Sequence, residues 1–300
     1  MDTTKVAFVK AEGTTCASGN IPAASLPQSQ KLYGALIDAF SMRTFAPVTG
    51  ESGHDHFFNT FDKFGGTDPR HTGEWIDEVA TRAAAQNEQY LELMDTPNFA
   101  PVAALAAKIG YHPDFAQYHE LVLAHGFRSY LPEMEAHFDQ AGAARREREH
   151  CGQTGARAAC EVEVRYIYQV LHGLPKEAVF AQILLGFELA SIDPRIVGLN
   201  LVQPEDCYTC MADYRLHMQM IDTLHALYPK VHITLHAGEL VPGMVPPEEL
   251  TFHIRSAVEK GHAERIGHGV DVMYEDKSLD LLRRWRQSTS WSRSTSPATM

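Results

Sequence analysis

The sequence is poor in cysteine, in basic residues and in long apolar runs, and each shortage excludes a class of protein. Five cysteines in 300 residues are too few for a fold built on disulfides. The 26 lysines and arginines are outnumbered by 38 aspartates and glutamates, and a net charge of −12 argues against binding nucleic acid through its phosphates. No apolar run approaches the roughly 18 residues that span a bilayer, and Val6–Val9 is too short for the core of a signal peptide. We therefore expect a soluble protein with no nucleic-acid partner and no membrane partner.

Four of the cysteines form two close pairs along the chain. Cys151 and Cys160 lie among Gly and Ala residues and could close a small loop, but the sequence does not decide between a bridge and two thiols. Cys207-Tyr-Thr-Cys210 has the spacing of a redox motif, yet no second CxxC completes a zinc ribbon. We interpret this second pair as two loop cysteines. The compartment is left open between the cytoplasm and an exported location.

From Gly73 onward, short apolar runs alternate with patterns of helical period. The predicted strands are Tyr90–Met94, Val162–Leu171, Ile196–Val202, Val231–His236 and Arg265–His268. The predicted helices are Gln30–Phe45, Glu74–Asn87, Pro113–His150, Lys176–Ala190, Ala212–Tyr228, Pro247–Lys260 and Lys277–Trp285. Strands and helices that alternate at these lengths are typical of βα units, so we predict an α/β fold with a parallel sheet.

The same pattern divides the chain into three regions. Residues 1–72 form a helical region with the aromatic segment His54–Phe64, residues 73–284 form the βα segment, and residues 285–300 form an irregular tail. The tail has no acidic residue and is rich in Ser and Thr. Permitted codons for it, read one base upstream, can spell a run typical of a buried strand. We therefore favour a frameshifted end over a native tail.

Polar residues with catalytic chemistry follow two neighbouring predicted strands. His236 ends one strand, Glu239 lies three residues further, and His268 ends the next strand. Groups at the carboxyl ends of parallel strands converge on one edge of the sheet. Imidazole suits a zinc ion and a nearby carboxylate suits proton transfer, which favours a metal or acid–base site. Polar groups with a purely structural role are the alternative.

The residues around these positions match a known pattern. His236-Ala-Gly-Glu239, followed by Glu264-Arg-Ile-Gly-His268-Gly, resembles the paired signature of the adenosine deaminase family. The segments His54–Phe64 and Gly198–Asp206 look most like the branch related to adenosine deaminase growth factors. The resemblance runs from Gln30 to Arg284. It implies a (β/α)8 TIM barrel of the metal-dependent hydrolase type, of which the predicted strands correspond to strands two to six.

The resemblance also implies a role for each signature residue. His236 would be a ligand to zinc, the family's cofactor. Glu239 would be the acid that protonates the purine ring nitrogen next to the attacked carbon. His268 would orient the zinc-bound hydroxide. The hydroxide would be present at neutral pH because zinc lowers the pKa of its bound water to about 7.

Four further residues are implied to contact the substrate, a purine nucleoside. Phe58 and Phe61 belong to the aromatic segment that matches the family's lid over the nucleoside, although a plain packing face is the alternative. Gly238 lies in the first signature. Gln203 falls where conventional deaminases carry a glycine that faces the purine, and this departure affects the expected contact.

Most of the family's zinc ligands have no clear counterpart. The family uses a His-x-His at the end of its first strand and an Asp at the end of its eighth, besides the residue matched by His236. His54-Asp-His56 has the letters of the first motif, but no apolar strand precedes it. His232 faces the same side of its strand as His236, and we interpret it as a core residue rather than a ligand. We therefore expect a chain truncated at both ends.

Three functions are compatible with these observations. The first is a zinc-dependent deaminase of adenosine or 2'-deoxyadenosine, with activity possible only if the site is complete. The second is a related amidohydrolase that acts on another amine. The third is a growth-factor-like binding protein without catalysis, which Glu239 and His268 argue against because binding alone requires neither. A homodimer is compatible with the resemblance.

Overall fold

The computed structural model describes residues 23–47, 50–64 and 71–287, and the chain divides into two compact units between His71 and Thr72. The first unit contains α1 (Gln30–Ala39) and α2 (Gly53–Phe64). Helix α1 ends six residues before the predicted end at Phe45. The reason is that the chain turns back, so that Arg43 donates hydrogen bonds to the Asp38 side chain at 2.7 Å and to the Gly34 carbonyl at 2.9 Å.

The second unit contains five strands and nine helices among residues 72–287. The strands are β1 (Tyr90–Asp95), β2 (Glu163–Leu171), β3 (Ile196–Val202), β4 (Thr234–Ala237) and β5 (Arg265–His268). The helices are α3 (Thr72–Ala85), α4 (Ala100–Ile109), α5 (Phe115–Ala124), α6 (Leu131–Arg148), α7 (Lys176–Ile192), α8 (Tyr208–Ala212), α9 (Tyr214–Leu227), α10 (His253–Glu259) and α11 (Ser278–Gln287). All five predicted strands are therefore present, and the α/β class is confirmed.

Several predicted helices differ from the observed helices in their bounds or are interrupted. The predicted helix Pro113–His150 is broken where Gly126 adopts a φ of +85°, and the predicted helix Pro247–Lys260 begins as a 3-10 turn over Pro247–Thr251. Helix α4 was not predicted, because its run of alanines has little helical periodicity. Helix α11 continues two residues beyond the predicted end at Trp285. Residues 288–300, most of the predicted tail, lie outside the described residues.

Strands β1 to β5 pair in parallel with their neighbours in chain order. Strands β1, β2 and β3 form one sheet, strands β4 and β5 form another, and a parallel bridge between Leu199 and Ile233 connects β3 to the start of β4. The two sheets are small and open. Across their concave face, the guanidinium of Arg265 on β5 contacts the carboxylate of Glu92 on β1. The outer strands therefore curve towards each other.

The core lies between these strands and the helices that cover them. Helix α7 is buried along most of its length because it crosses β2 and β3 at close range. A Cβ added at Gly186 would lie 2.3 Å from Leu199 Cδ1 and 2.7 Å from Tyr168 Cδ1. A glycine is thus required where this helix meets the sheet. Among the described residues, no helix is both long enough and apolar enough to cross a bilayer.

The part of the chain that the structure describes contains two disulfides. Cys151 and Cys160 are bonded and close a short loop between α6 and β2, which resolves the alternative that the sequence left open. Cys207 and Cys210 are also bonded, so the interpretation of these two as loop cysteines was wrong. The turn at the start of α8 brings their Cα atoms to 5.0 Å, within the usual range for a disulfide. Spacing alone could not show that turn.

Candidate active site

The carboxyl ends of the strands bring the three signature residues together. His236 lies in β4 and His268 ends β5, and their ring centroids are 5.0 Å apart. In the loop after β4, Glu239 Oε2 is 3.5 Å from His268 Nε2. This juxtaposition follows from the parallel pairing of β4 with β5, in which His236 is opposite Gly267.

His236 is oriented by a residue of the neighbouring strand. Its backbone N–H donates to Asn200 Oδ1 at 3.0 Å, and its Nδ1 lies 2.7 Å from Asn200 Nδ2 and 3.1 Å from Oδ1. Burial and the nearby His268 lower the pKa of His236, which favours the neutral imidazole that binds metals. Only the tautomer in which Nδ1–H donates to Oδ1 leaves a lone pair on Nε2 for a ligand.

The loop that carries Glu239 is held by a carboxylate that the sequence reading did not single out. Glu205 follows β3 and is 3% exposed. Its Oε1 accepts the Gly238 N–H at 3.1 Å, and its Oε2 accepts the Glu239 N–H at 2.7 Å. The available signal was its position, because Pro204-Glu205-Asp206 follows a strand at the same edge of the sheet as the signature.

Gly238 has a conformation and surroundings that suit only glycine. Its φ is +76°, and an added Cβ would lie 2.4 Å from Asp271 Oδ1 and 2.6 Å from Ile254 Cδ1. Burial, together with the charges of Glu205 and Glu275, raises the pKa of Asp271 to about 7. The loop therefore lies between a charged carboxylate and one that is neutral below about pH 7.

Gln203 occupies a backbone conformation that favours glycine. Its φ is +111°, and its Oε1 accepts the Gly173 N–H at 2.6 Å in the turn after β2. A non-glycine residue in this region costs of the order of 1–3 kcal/mol and persists only where the surroundings hold it. The side chain is directed to the turn after β2, and its expected contact with a purine stays a prediction.

The aromatic segment is a helix of the first unit. Phe58 and Phe61 lie in α2 with ring centroids 6.3 Å apart, and Phe57 contacts both of them. The helical spacing of this segment is confirmed, whereas its role as a lid stays a prediction. His54 and His56 lie in the same helix. Residues two apart on a helix face different directions, so this pair does not form the family's His-x-His metal motif.

His232 does not belong to the core. Its side chain is 62% exposed, and its Nδ1 is 2.7 Å from Glu264 Oε1. The interpretation of His232 as a core residue was therefore wrong. It precedes β4 at the amino end of the strand, where the open sheet leaves this side chain in solvent.

The described residues do not by themselves form the family's zinc site. His236 provides one side chain of the expected set. Within residues 23–47, 50–64 and 71–287, the one group of three ligand-type side chains whose ligand atoms lie within 4.8 Å of one another is Glu149, Cys151 and Cys160. Both of these cysteines are in a disulfide and cannot act as thiolate ligands.

Comparison with protein families agrees with this geometry. The family model described as adenosine deaminase matches residues 140–291, just over half of the chain. The chain belongs to the adenosine deaminase family. The matched range contains β2 to β5 and therefore the residues His236, Glu239 and His268. No curated protein matches the chain.

Membership of the adenosine deaminase family identifies the general class of chemistry. It supports a hydrolase of the deaminase or amidohydrolase type. The family that the sequence signature resembles is thereby confirmed. The growth-factor-related branch and the truncation at both ends stay predictions.

Proposed function

We propose that this chain carries the active site of an enzyme that hydrolyses adenosine or 2'-deoxyadenosine to the corresponding inosine and ammonia. The observation that carries the proposal is the contact of Glu239 with His268 beside His236, at the ends of adjacent parallel strands. These residues lie inside the range that matches the family.

The side chains support a division of labour in this reaction. Water adds to the ring carbon that bears the amino group, the carbon–nitrogen bond breaks, and ammonia leaves. Glu239 would donate a proton to the adjacent ring nitrogen and so make that carbon more electrophilic. His268, within 3.5 Å of the Glu239 carboxylate, would orient the attacking water.

Zinc is proposed as the cofactor, with His236 as one of its ligands. Asn200 is placed to hold the His236 ring, an arrangement that is common behind metal-binding histidines. The described residues do not fit a complete zinc site, so no step of the reaction is assigned to the metal here.

The fold is proposed to be part of a (β/α)8 barrel of the metal-dependent hydrolase type. Five parallel strands in chain order support this proposal, in which they would be strands two to six of the barrel. The contact between Glu92 and Arg265 across the concave face supports barrel-like curvature.

The substrate contacts are proposed from the family resemblance. Phe58 and Phe61 would cover a purine nucleoside, and Gly238 would allow it to approach the loop that carries Glu239. Gln203 would replace the family's glycine contact. A homodimer and the growth-factor-related branch are likewise proposals.

The conformation of Gln203 favours one alternative, a related amidohydrolase that acts on another amine. A glutamine side chain now stands where the family has none, and it is hydrogen-bonded to Gly173. Such a change alters the space and polarity next to the substrate base. A non-catalytic binding protein is less well supported, because it has no need for the contact between Glu239 and His268.

The test is to measure zinc per purified chain and inosine formation from adenosine on the same sample. Near-stoichiometric zinc with turnover is the expected result, and it would require ligands beyond the described residues. Zinc without turnover on adenosine, but with release of ammonia from another amine, would favour the alternative. Neither zinc nor turnover would contradict the proposed activity of this chain.

A further inference from the structure

Glu205 binds the loop of Glu239 through both of its carboxylate oxygens. Two successive backbone N–H groups, those of Gly238 and Glu239, point at one carboxylate. Successive amides converge in this way when one residue adopts a left-handed conformation, as Gly238 does, and they form a concave site for an anion. Here the anion is a side chain of the protein itself.

His253 holds Glu205 in this position from the other side. His253 is 1% exposed, and its Nδ1 is 2.7 Å from Glu205 Oε1. Its Nε2 is 3.1 Å from Glu249 Oε2, and the ring of Tyr214 stacks on it with centroids 3.9 Å apart. Burial raises the pKa of Glu205, but His253 and the two amides outweigh this effect and leave the pKa lowered. Glu205 is therefore an anion when it binds the loop.

We propose that Glu205, held by His253, is a positioning residue that orients the Glu239 carboxyl by clamping the backbone at Gly238 and Glu239. The inference rests on the proposed function, since it concerns the same site. The Glu239 N–H bond to Glu205, at 2.7 Å, is the shorter of the two, and it belongs to the residue whose side chain faces His268. Glu205 acts through the loop and has no assigned contact with the reacting atoms.

Glu275 provides a matched control within the same unit. It is also a buried glutamate, 4% exposed, whose carboxylate accepts two successive backbone N–H groups. Its partners are Ile254 at 2.6 Å and Arg255 at 3.2 Å, at the start of α10. Both of these bonds go to Oε1, and Oε2 has no hydrogen-bond partner among the described residues, so Glu275→Gln removes a buried carboxyl but can keep both bonds. Glu205→Gln must lose at least one bond, because each oxygen of Glu205 accepts a different N–H. Only Glu205 contacts the loop that carries Glu239.

The experiment compares the full chain with Glu205→Gln and Glu275→Gln. The measurements are kcat and KM for adenosine, zinc per chain, and hydrogen exchange of the amides of Gly238 and Glu239. For Glu205→Gln we expect kcat to fall by about 10–100-fold with KM within about twofold, a loss similar in size to that caused by removing residues that orient metal ligands. We expect faster exchange of the two amides. For Glu275→Gln we expect kcat within about twofold and unchanged exchange at these amides, even if the melting temperature falls.

The outcomes separate the positioning role from a general loss of stability. Equal losses of kcat in both variants would overturn the positioning role. Faster exchange of the Gly238 and Glu239 amides in Glu205→Gln with an unchanged kcat would overturn it as well. If the unchanged chain shows no turnover, the proposed activity fails. Hydrogen exchange then still tests the clamp, because equal exchange of the Gly238 and Glu239 amides in Glu205→Gln and in the unchanged chain would overturn it.

Discussion

The pKa of a buried carboxyl in this protein is set by its neighbours and not by its residue type alone. Glu205 and Asp271 are both buried carboxyls beside Gly238. Burial raises the pKa of each, but His253 and two amides reverse the effect for Glu205, whereas Glu205 and Glu275 add to it for Asp271. Just below pH 7, the Glu205 carboxyl is therefore charged whereas the Asp271 carboxyl is neutral.

Replacing Glu239 tests its proposed role as the acid. Glu239→Gln keeps the size of the side chain but cannot deliver the proton, so kcat for adenosine should fall by about 100-fold or more. Zinc per chain should stay nearly unchanged. Glu248→Gln, an exposed residue of the following 3-10 turn, is the control and should keep full activity. Equal activity of Glu239→Gln and the unchanged chain would remove Glu239 from the mechanism.

Asp271 should make the folded state less stable as the pH rises. Its folded pKa of about 7 lies above the ordinary value of 3.8, so the folded chain retains a proton that the unfolded chain has lost. Between these values the free energy of unfolding should fall by up to about 1.4 kcal/mol per pH unit from this group. Asp271→Asn should lack this term, so its melting temperature relative to the unchanged chain should rise from pH 5 to pH 8.

The exposed carboxyl of Glu161 provides a control for that comparison. Glu161→Gln should differ from the unchanged chain by a similar amount at both pH values. A difference between Asp271→Asn and the unchanged chain that does not vary with pH would contradict the assignment.

At the scale of elements, parallel pairing and close helix packing position the site. Pairing of β4 with β5 brings His236 and His268 together, and α7 lies against β2 and β3 because Gly186 has no side chain. The strands were predictable because each is a short apolar run between clear stops. The breaks in the helices were less predictable, since they depend on backbone geometry, as at Gly126.

A side chain at Gly186 should separate α7 from the sheet. Gly186→Ala places a methyl group within 3 Å of Leu199 and Tyr168, both fully buried, and we expect a loss of about 1–3 kcal/mol in the free energy of unfolding. Gly142→Ala in α6 is the control, because its new methyl group meets only the flexible end of Arg146. It should gain about 0.5–1 kcal/mol from helix propensity. Urea unfolding of both variants measures this, and equal stabilities would refute the packing argument.

At the scale of the whole molecule, buried histidines should make the folded chain sensitive to acid. His172 and His217 are nearly or fully buried, with ring centroids 5.5 Å apart. Burial lowers the pKa of His172 to about 3, with a further contribution from His217, and burial lowers the pKa of His217 to about 4. Neither value was accessible from the sequence, because it depends on what surrounds each ring.

The sign of this effect follows from the unfolded state. Below the ordinary value of 6.5, the unfolded chain binds protons that these histidines in the folded chain do not. The contribution of these two histidines to stability should therefore be greatest above pH 6.5 and fall by about 1.4 kcal/mol per pH unit for each histidine as the pH drops towards the folded values, opposite in sign to the contribution of Asp271. His217→Phe should flatten this dependence, because it removes one of the two titrating rings. It should lose no hydrogen bond, since both ring nitrogens of His217 lack a partner among the described residues. Melting temperatures at pH 7 and pH 5 measure the effect.

An exposed histidine separates this effect from titration in general. His125→Gln, on the surface after α5, should leave the acid dependence nearly unchanged. If His125→Gln flattens it as much as His217→Phe does, burial of His217 is not its cause.

The sequence by itself determined the α/β class, the five strands and the family, and it named His236, Glu239 and His268. These features depend on local hydrophobic patterns and on contiguous motifs, which are visible without a fold. Tertiary structure alone decided the bond between Cys207 and Cys210, the exposed place of His232, the direction of the Gln203 side chain and the clamp of Glu205 on the loop of Glu239. Each of these features depends on how turns or distant segments of the chain meet in space. Residue type and spacing along the sequence do not determine the burial and hydrogen bonding that result.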